Sequence, residues 1–86
     1  MIGRVSDYQV NQSGEIVRVY VLVEEFEIIL VLIGGELKCT GFMNYAHGRH
    51  HPTQIHTYEA KRVARGFISN MKKRQEAADR QPHFDF

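Results

Sequence analysis

The sequence predicts an α+β fold, in which a small antiparallel sheet of three to four strands packs one face against one C-terminal helix. Two patterns support this class: apolar residues alternate or run unbroken through residues 4–43, and they recur at helical spacing over 60–71. The 86 residues, 43% of them hydrophobic, suffice for a single small domain. We place that domain at 1–80, with a histidine-rich loop at 44–56 and a short tail at 81–86.

The first third of the chain predicts two strands joined by a tight turn. Arg4 to Val10 alternates weakly, and the Asn and Gly of residues 11–14 tolerate the positive φ of a turn. A clearer strand follows from Glu15 to Glu24, with four valines at period two on one face. Its other face carries a mixed set of side chains: Ile16, Arg18, Tyr20 and Leu22.

A hairpin follows this strand. Residues 26–33 are apolar on both faces from Ile28 onward, which is typical of a central strand covered on both sides. Gly34 and Gly35 form a two-residue turn signal, and residues 36–43 return as the next strand. Strict alternation places Leu37, Cys39 and Met43 on one face and Lys38, Thr40 and Phe42 on the other. It therefore predicts that the Cys39 thiol is buried and inert.

A single amphipathic helix ends the domain. We expect Thr57 to be its N-cap and Glu59 to complement the helix dipole in the first turn. The apolar stripe has the spacing i, i+3, i+4, i+7, i+8, i+11 and consists of Ala60, Val63, Ala64, Phe67, Ile68 and Met71. The helix is expected to fray between Ala78 and Arg80.

One helix covers only one face of a sheet, so the other face needs an explanation. Ile16, Tyr20 and Leu22 make that face partly apolar, and apolar area left uncovered on a small domain marks a partner surface. In one interpretation, the first strand and the tail residues Phe84 and Phe86 fold over it. In the other, this face or an edge strand pairs with a second chain, as a homodimer or with a target.

Composition excludes several classes of protein. A single cysteine allows no intramolecular disulfide, and the longest apolar run, six residues, is too short to span a membrane. The N-terminus lacks the apolar core of a signal peptide, so we expect a cytoplasmic protein without membrane contact. Neither a phosphate-binding glycine loop nor a nucleophile elbow is present. We therefore predict no enzyme, no catalytic residues and no cofactor.

The loop at 44–56 holds four of the five histidines, namely His47, His50, His51 and His56. A histidine-bound metal ion is one alternative. The sequence has no pair of cysteines, and residues 44–56 contain no acidic residue. We therefore assign no metal site. A polar, solvent-exposed loop whose histidines are incidental is a second interpretation. A recognition loop is the third, because Tyr and Arg are enriched at binding hot spots. Its predicted contact residues are Tyr45, Arg49, His50 and His51.

The helix offers a second candidate contact. The net charge is +1 overall, yet residues 57–86 carry +3, and the exposed helix face holds Arg62, Arg65 and Lys73. Nucleic acid binding through these residues is an alternative function. A solvated helix face with cations near its C-terminus explains the same pattern without a partner.

These observations favour a small non-enzymatic protein that acts by occluding or modulating another macromolecule. Its partner would be a protein or a nucleoprotein, with nucleic acid and a homodimer as alternatives. Small stand-alone chains of this kind often serve as phage or mobile-element inhibitors of host defence, including anti-CRISPR-type proteins. That narrower expectation is based on the frequency of the class and on no residue match.

Overall fold

Four antiparallel strands and one helix make up the part of the chain that the computed structural model describes, residues 2–46 and 48–80, with side chains through Arg74. The elements are β1 (Gly3–Val10), β2 (Ile16–Val23), β3 (Phe26–Ile33), β4 (Glu36–Asn44) and α1 (Gln54–Arg80). The sheet order is β1-β2-β3-β4, so neighbours in sequence are neighbours in space. The predicted α+β class is confirmed. The predicted tail at 81–86 lies outside the described residues, as does His47.

Local turn chemistry sets the hairpins. The side-chain Oδ1 of Asn11 accepts hydrogen bonds from the backbone N–H groups of Ser13 and Glu15, at 3.0 and 2.9 Å. Gly34 and Gly35 both have positive φ, 58° and 83°, as a two-residue type I′ turn requires. Both turns were predicted, because they depend only on residue types within the turn that tolerate positive φ.

The hydrophobic core lies between the sheet and α1. Its fully buried side chains come from two strands and from two helix alanines: Val19, Val21, Val23, Phe26, Ile28, Leu30, Ala60 and Ala64. The alanines let the helix approach the sheet closely. Ile68 is also buried, while Val63, Phe67 and Met71 are half-buried, so the predicted apolar stripe is confirmed. The helix packs mainly on β1 and β2.

A β-bulge in β4 overturns part of the predicted face assignment. Thr40 is an extra residue between two paired positions, and it reverses the alternation of the strand beyond it. Phe42 therefore packs against the core, whereas Met43 is 53% exposed on the opposite face. Cys39 was predicted to be buried, but it is exposed on this strand at the sheet edge.

A second irregularity moves Ile16. The pairing of β1 with β2 skips Val17, so Ile16 packs against the core rather than sharing the face of Tyr20 and Leu22. The prediction was wrong because a one-residue shift of register sends a side chain to the other face.

The helix starts earlier than predicted. It begins at Gln54, which makes Thr53 rather than Thr57 the N-cap, and its first turn contains no acidic residue. Because β4 also continues to Asn44, the connecting loop is shorter than predicted and spans 45–53. No helix in the described part of the chain is both long enough and apolar enough to cross a membrane.

Candidate interaction surfaces

The sheet face opposite α1, called the open face below, is apolar at its centre. It presents six large side chains: Tyr20, Leu22, Ile29, Val31, Ile33 and Met43. The first five alternate with the core residues of β2 and β3, and Met43 lies beyond the bulge of β4. The first four are half-buried by their neighbours, and Ile33 is 52% exposed. No element formed by residues 2–46 and 48–80 packs over this face. The interpretation in which the first strand covers this face is wrong, because β1 pairs beside β2 within the sheet. The tail aromatics of the same interpretation lie outside the described residues.

A polar cluster borders one end of the open face. The Glu27 carboxylate accepts a hydrogen bond from Ser6 Oγ at 2.8 Å and another from the Tyr45 hydroxyl at 3.2 Å. Partial desolvation, this hydrogen bond and the charge of Glu27 raise the pKa of Tyr45 above its ordinary value of 10.0. The phenol is consequently neutral at physiological pH and is held beside the open face.

Asn44 organises the loop that follows β4. Its Nδ2 donates hydrogen bonds to the carbonyl oxygens of Gly48 and His50, at 3.3 and 3.2 Å. Its Oδ1 accepts the backbone N–H of Ala46 at 2.9 Å. The strand hydrogen bonds end at Asn44, and beyond it the Asn44 side chain supplies hydrogen bonds to the loop backbone. These bonds hold the loop at the end of the sheet.

The two ends of the loop are anchored on opposite faces of the sheet. Tyr45 contacts Glu27 on the open face, whereas the ring of His51 lies edge-on to Phe42 on the core face, with centroids 5.4 Å apart. Arg49 and His50 are exposed between these anchors. Of the four predicted contact residues, Tyr45 therefore adjoins the open face, and His51 faces the core side.

His56 links the helix start to the β2–β3 turn. Its Nδ1 accepts the backbone N–H of Thr53 at 3.0 Å, as the third residue of a capping box does. With Nδ1 accepting, the other ring nitrogen carries the proton, and Nε2 lies 3.1 Å from Glu24 Oε2. The ring also lies edge-on to Phe26, with centroids 5.0 Å apart. The sequence offered His56 as a metal ligand, but these contacts make it a capping residue.

Thr53, His56 and Glu24 together resemble a hydroxyl–imidazole–carboxylate triad, since Thr53 Oγ1 is 2.8 Å from His56 Nδ1. A triad base needs a free lone pair to take the hydroxyl proton. Here the N–H of Thr53 already uses that lone pair. The arrangement therefore orients the helix start.

Metal binding finds little geometric support in this region. Among the described residues, which leave out His47, no three His, Cys, Asp or Glu side chains come close enough to hold a metal ion. His51 and His56 direct their rings at Phe42 and Phe26 instead.

A groove between α1 and the β3–β4 hairpin, called the helix–hairpin groove below, encloses about 710 Å³. Leu32, Leu37 and Ile68 lie along its length as apolar lining. Four cations also line it: Lys61, Arg65, Lys72 and Lys73. Ser69 and Gly35 complete the lining together with Glu36, which is the one carboxylate among the described lining residues.

The predicted helix contacts do not form one site. Arg65 and Lys73 line the groove, but Arg62 donates two hydrogen bonds to Glu59, at 2.6 and 2.9 Å. These bonds lower the pKa of Glu59 and raise that of Arg62. Glu59 is buried where the helix crosses Gly3 of β1.

The predicted helix contacts left out Lys61 and Lys72, although both line the groove together with Arg65. Their spacing from Arg65, four residues before and seven after, places all three on one side of a helix, so the signal was present. The apolar lining from β3 and β4 could not be read in the same way, because it depends on where the hairpin lies against the helix.

Comparisons of this chain with protein-family models, with curated proteins and with solved structures find no match.

Proposed function

We propose that this chain is a cytoplasmic, non-enzymatic binding protein that acts by covering part of a partner protein with its open face. The observation that carries the proposal is the set of six large apolar or aromatic side chains on that face. Contiguous apolar surface on so small a domain is costly to leave in water and is typical of interaction sites.

The dimensions of the face indicate what kind of partner it fits. Four strands about 4.8 Å apart and about 27 Å long present roughly 500 Å². A standard protein interface buries about 800 Å² on each side, so the sheet alone is too small for one. The remainder would come from the rim, where Tyr45 stands beside Glu27 and Arg49 and His50 are exposed in the loop.

This shortfall favours a different protein over a second copy of the chain. Two sheets packed face to face would bury roughly 1,000 Å² in total, which is at the lower limit for a specific interface. A larger partner can also contact the loop, where the Tyr and Arg side chains are of the types enriched at hot spots.

Within this class we propose an inhibitor that blocks a nucleoprotein complex of host defence, as phage-encoded anti-CRISPR-type proteins do. Small size, the lack of a catalytic motif and two distinct surfaces on one domain support this narrower proposal. Co-expression with a CRISPR effector should protect a targeted plasmid from loss. Unchanged plasmid loss with every effector type tried would reject this narrower proposal and leave the general one standing.

The open face is tested by placing a charge on it. Ile33→Asp and Met43→Asp alter exposed positions, so both variants should fold, with thermal melts like that of the original protein. Ile55→Asp is the matched control, because Ile55 is 66% exposed but lies on α1. In pull-downs from a bacterial lysate, any protein that the original chain retains should be lost with the two face variants and kept with the control.

Two results would contradict the proposal. Retention of the same protein by Ile33→Asp would exclude the open face as the interface. Light scattering that gives a dimer mass, reduced to the monomer mass by Ile33→Asp and Met43→Asp but not by Ile55→Asp, would make a second copy the occupant.

A further inference from the structure

We infer that the helix–hairpin groove is a second binding site, and that it takes an acidic amphipathic segment of a partner protein. The inference goes beyond the proposed function, because it adds a second contact surface and names the chemistry of its occupant. It concerns the opposite side of the sheet, so the two can fail separately.

The groove has the right charge for such an occupant. Four cationic side chains against one carboxylate make the described lining strongly positive, although the whole protein carries only +1. Three of the four cations, Lys61, Arg65 and Lys72, lie on one side of α1, so their positive potential adds along the groove. Acidic side chains that enter the groove would be attracted electrostatically by each of these cations.

The groove also has an apolar side. Leu32 from β3, Leu37 from β4 and Ile68 from α1 come together in the lining, and Leu37 and Ile68 are the buried members. The site thus combines apolar contact surface with cations, which matches a segment with acidic residues on one face and aliphatic residues on the other.

The length of the groove favours a segment over a small molecule. From Lys61 to Lys73 the helix rises about 18 Å, the length of three helical turns. A helical segment of about 12 residues spans that distance.

Nucleic acid fits the lining less well. Single-stranded nucleic acid is bound by cationic grooves that carry aromatic platforms for the bases. Among the described residues that line this groove none is aromatic, because Phe42 and Phe26 lie at the other end of the core face beside the loop. The cations alone would attract phosphates, but the aliphatic lining would contribute nothing to a base.

The test is an NMR titration of the ¹⁵N-labelled full chain with a synthetic 12-residue peptide of Glu and Leu, patterned to place the leucines on one helix face. We expect shifts at the amides of residues 35–37 and 61–73, saturating below about 1 mM peptide. A peptide of identical composition in scrambled order, a lysine-for-glutamate version and a single-stranded oligonucleotide serve as competing probes.

Matched helix variants locate the site. Lys72→Glu and Arg74→Glu make the same change of charge two residues apart on an exposed part of α1, but Lys72 lines the groove and Arg74 does not. The double variant Arg65→Glu/Lys72→Glu should raise the Kd about tenfold, and Lys72→Glu alone should raise it more than Arg74→Glu.

Several outcomes would overturn the inference: no saturable shift below about 1 mM, equal effects of Lys72→Glu and Arg74→Glu, equal binding of the scrambled peptide, or tighter binding of the oligonucleotide. None of them affects the open-face variants Ile33→Asp and Met43→Asp. Loss of the open-face interaction would, in turn, leave this titration unchanged.

Discussion

Ile28 and Ile29 are adjacent in β3 and chemically identical, but they face opposite sides of the sheet. Ile28 is fully buried under α1, whereas Ile29 is half-buried on the open face. Replacing each with Ala therefore measures whether the two faces are equally covered in solution. Each substitution removes the same three carbon atoms from a residue in the middle of β3.

The two losses should differ clearly. Three buried carbons account for about 2.4 kcal/mol of transfer free energy, and the cavity left under the helix adds to this, so Ile28→Ala should cost about 3–4 kcal/mol of unfolding free energy. Ile29 buries less apolar surface on folding, and its truncation on the open face leaves no closed cavity. Ile29→Ala should therefore cost about 1 kcal/mol of unfolding free energy. Because each kcal/mol shifts the Tm of a domain this size by about 4–8 °C, the difference is easily measured.

Urea unfolding followed by circular dichroism provides the assay, with the two variants compared at several protein concentrations. The expected result is a large fall in midpoint for Ile28→Ala and a small one for Ile29→Ala, with unchanged slopes. Equal losses that grow with protein concentration would show that the open face is buried between two copies. That result would refute the assignment of an uncovered face.

Four further substitutions, one of them with a matched control, test particular contacts. Gly3→Ala should destabilise the fold by about 1–3 kcal/mol, because a Cβ there would lie 3.1 and 3.2 Å from valine methyls of β2 and α1. In contrast, Gly66→Ala, which meets no described atom within 4 Å, should stabilise the helix by about 1 kcal/mol; thermal melts of both variants check the opposite signs. His56→Ala should cost about 1 kcal/mol through loss of the capping box, against little change for the exposed His50→Ala, and equal melts would remove the capping role. Glu59→Gln should lower the Tm at pH 7. Because the folded-state pKa of Glu59 lies below its ordinary 4.5, its stabilisation is complete above that pH and is lost as the pH falls through the folded value. A Tm difference that persists at pH 2 would contradict this account.

The parts of the fold that were predicted correctly depend on neighbours in the chain. The turns at Asn11 and at Gly34–Gly35 are set by residues that tolerate positive φ, and the apolar stripe of α1 follows from a period of 3.6. The errors arose where one strand inserts a residue relative to its partner. The bulge at Thr40 moved Phe42 into the core and Met43 out of it, because alternation within one strand carries no information about the register of the next.

The candidate site was predicted in the same uneven way. The sequence singled out the histidine loop, and the structure divides it: Tyr45 joins the open face, while His56 caps α1 through Thr53. The helix–hairpin groove was not predicted, although some of its cations were. Its lining combines residues from β3, β4 and α1 that are about 30 positions apart in the chain.

The amino-acid pattern therefore determined the class of fold, the order of its elements and the existence of a partly apolar second sheet face, since these follow from periodicity and turn chemistry. The three-dimensional arrangement decided which side chains face the core, what caps the helix and which cations share a groove. These properties result from contacts between segments distant in the chain. A one-residue bulge or the side of a helix that meets a hairpin changes them completely while leaving the local pattern the same.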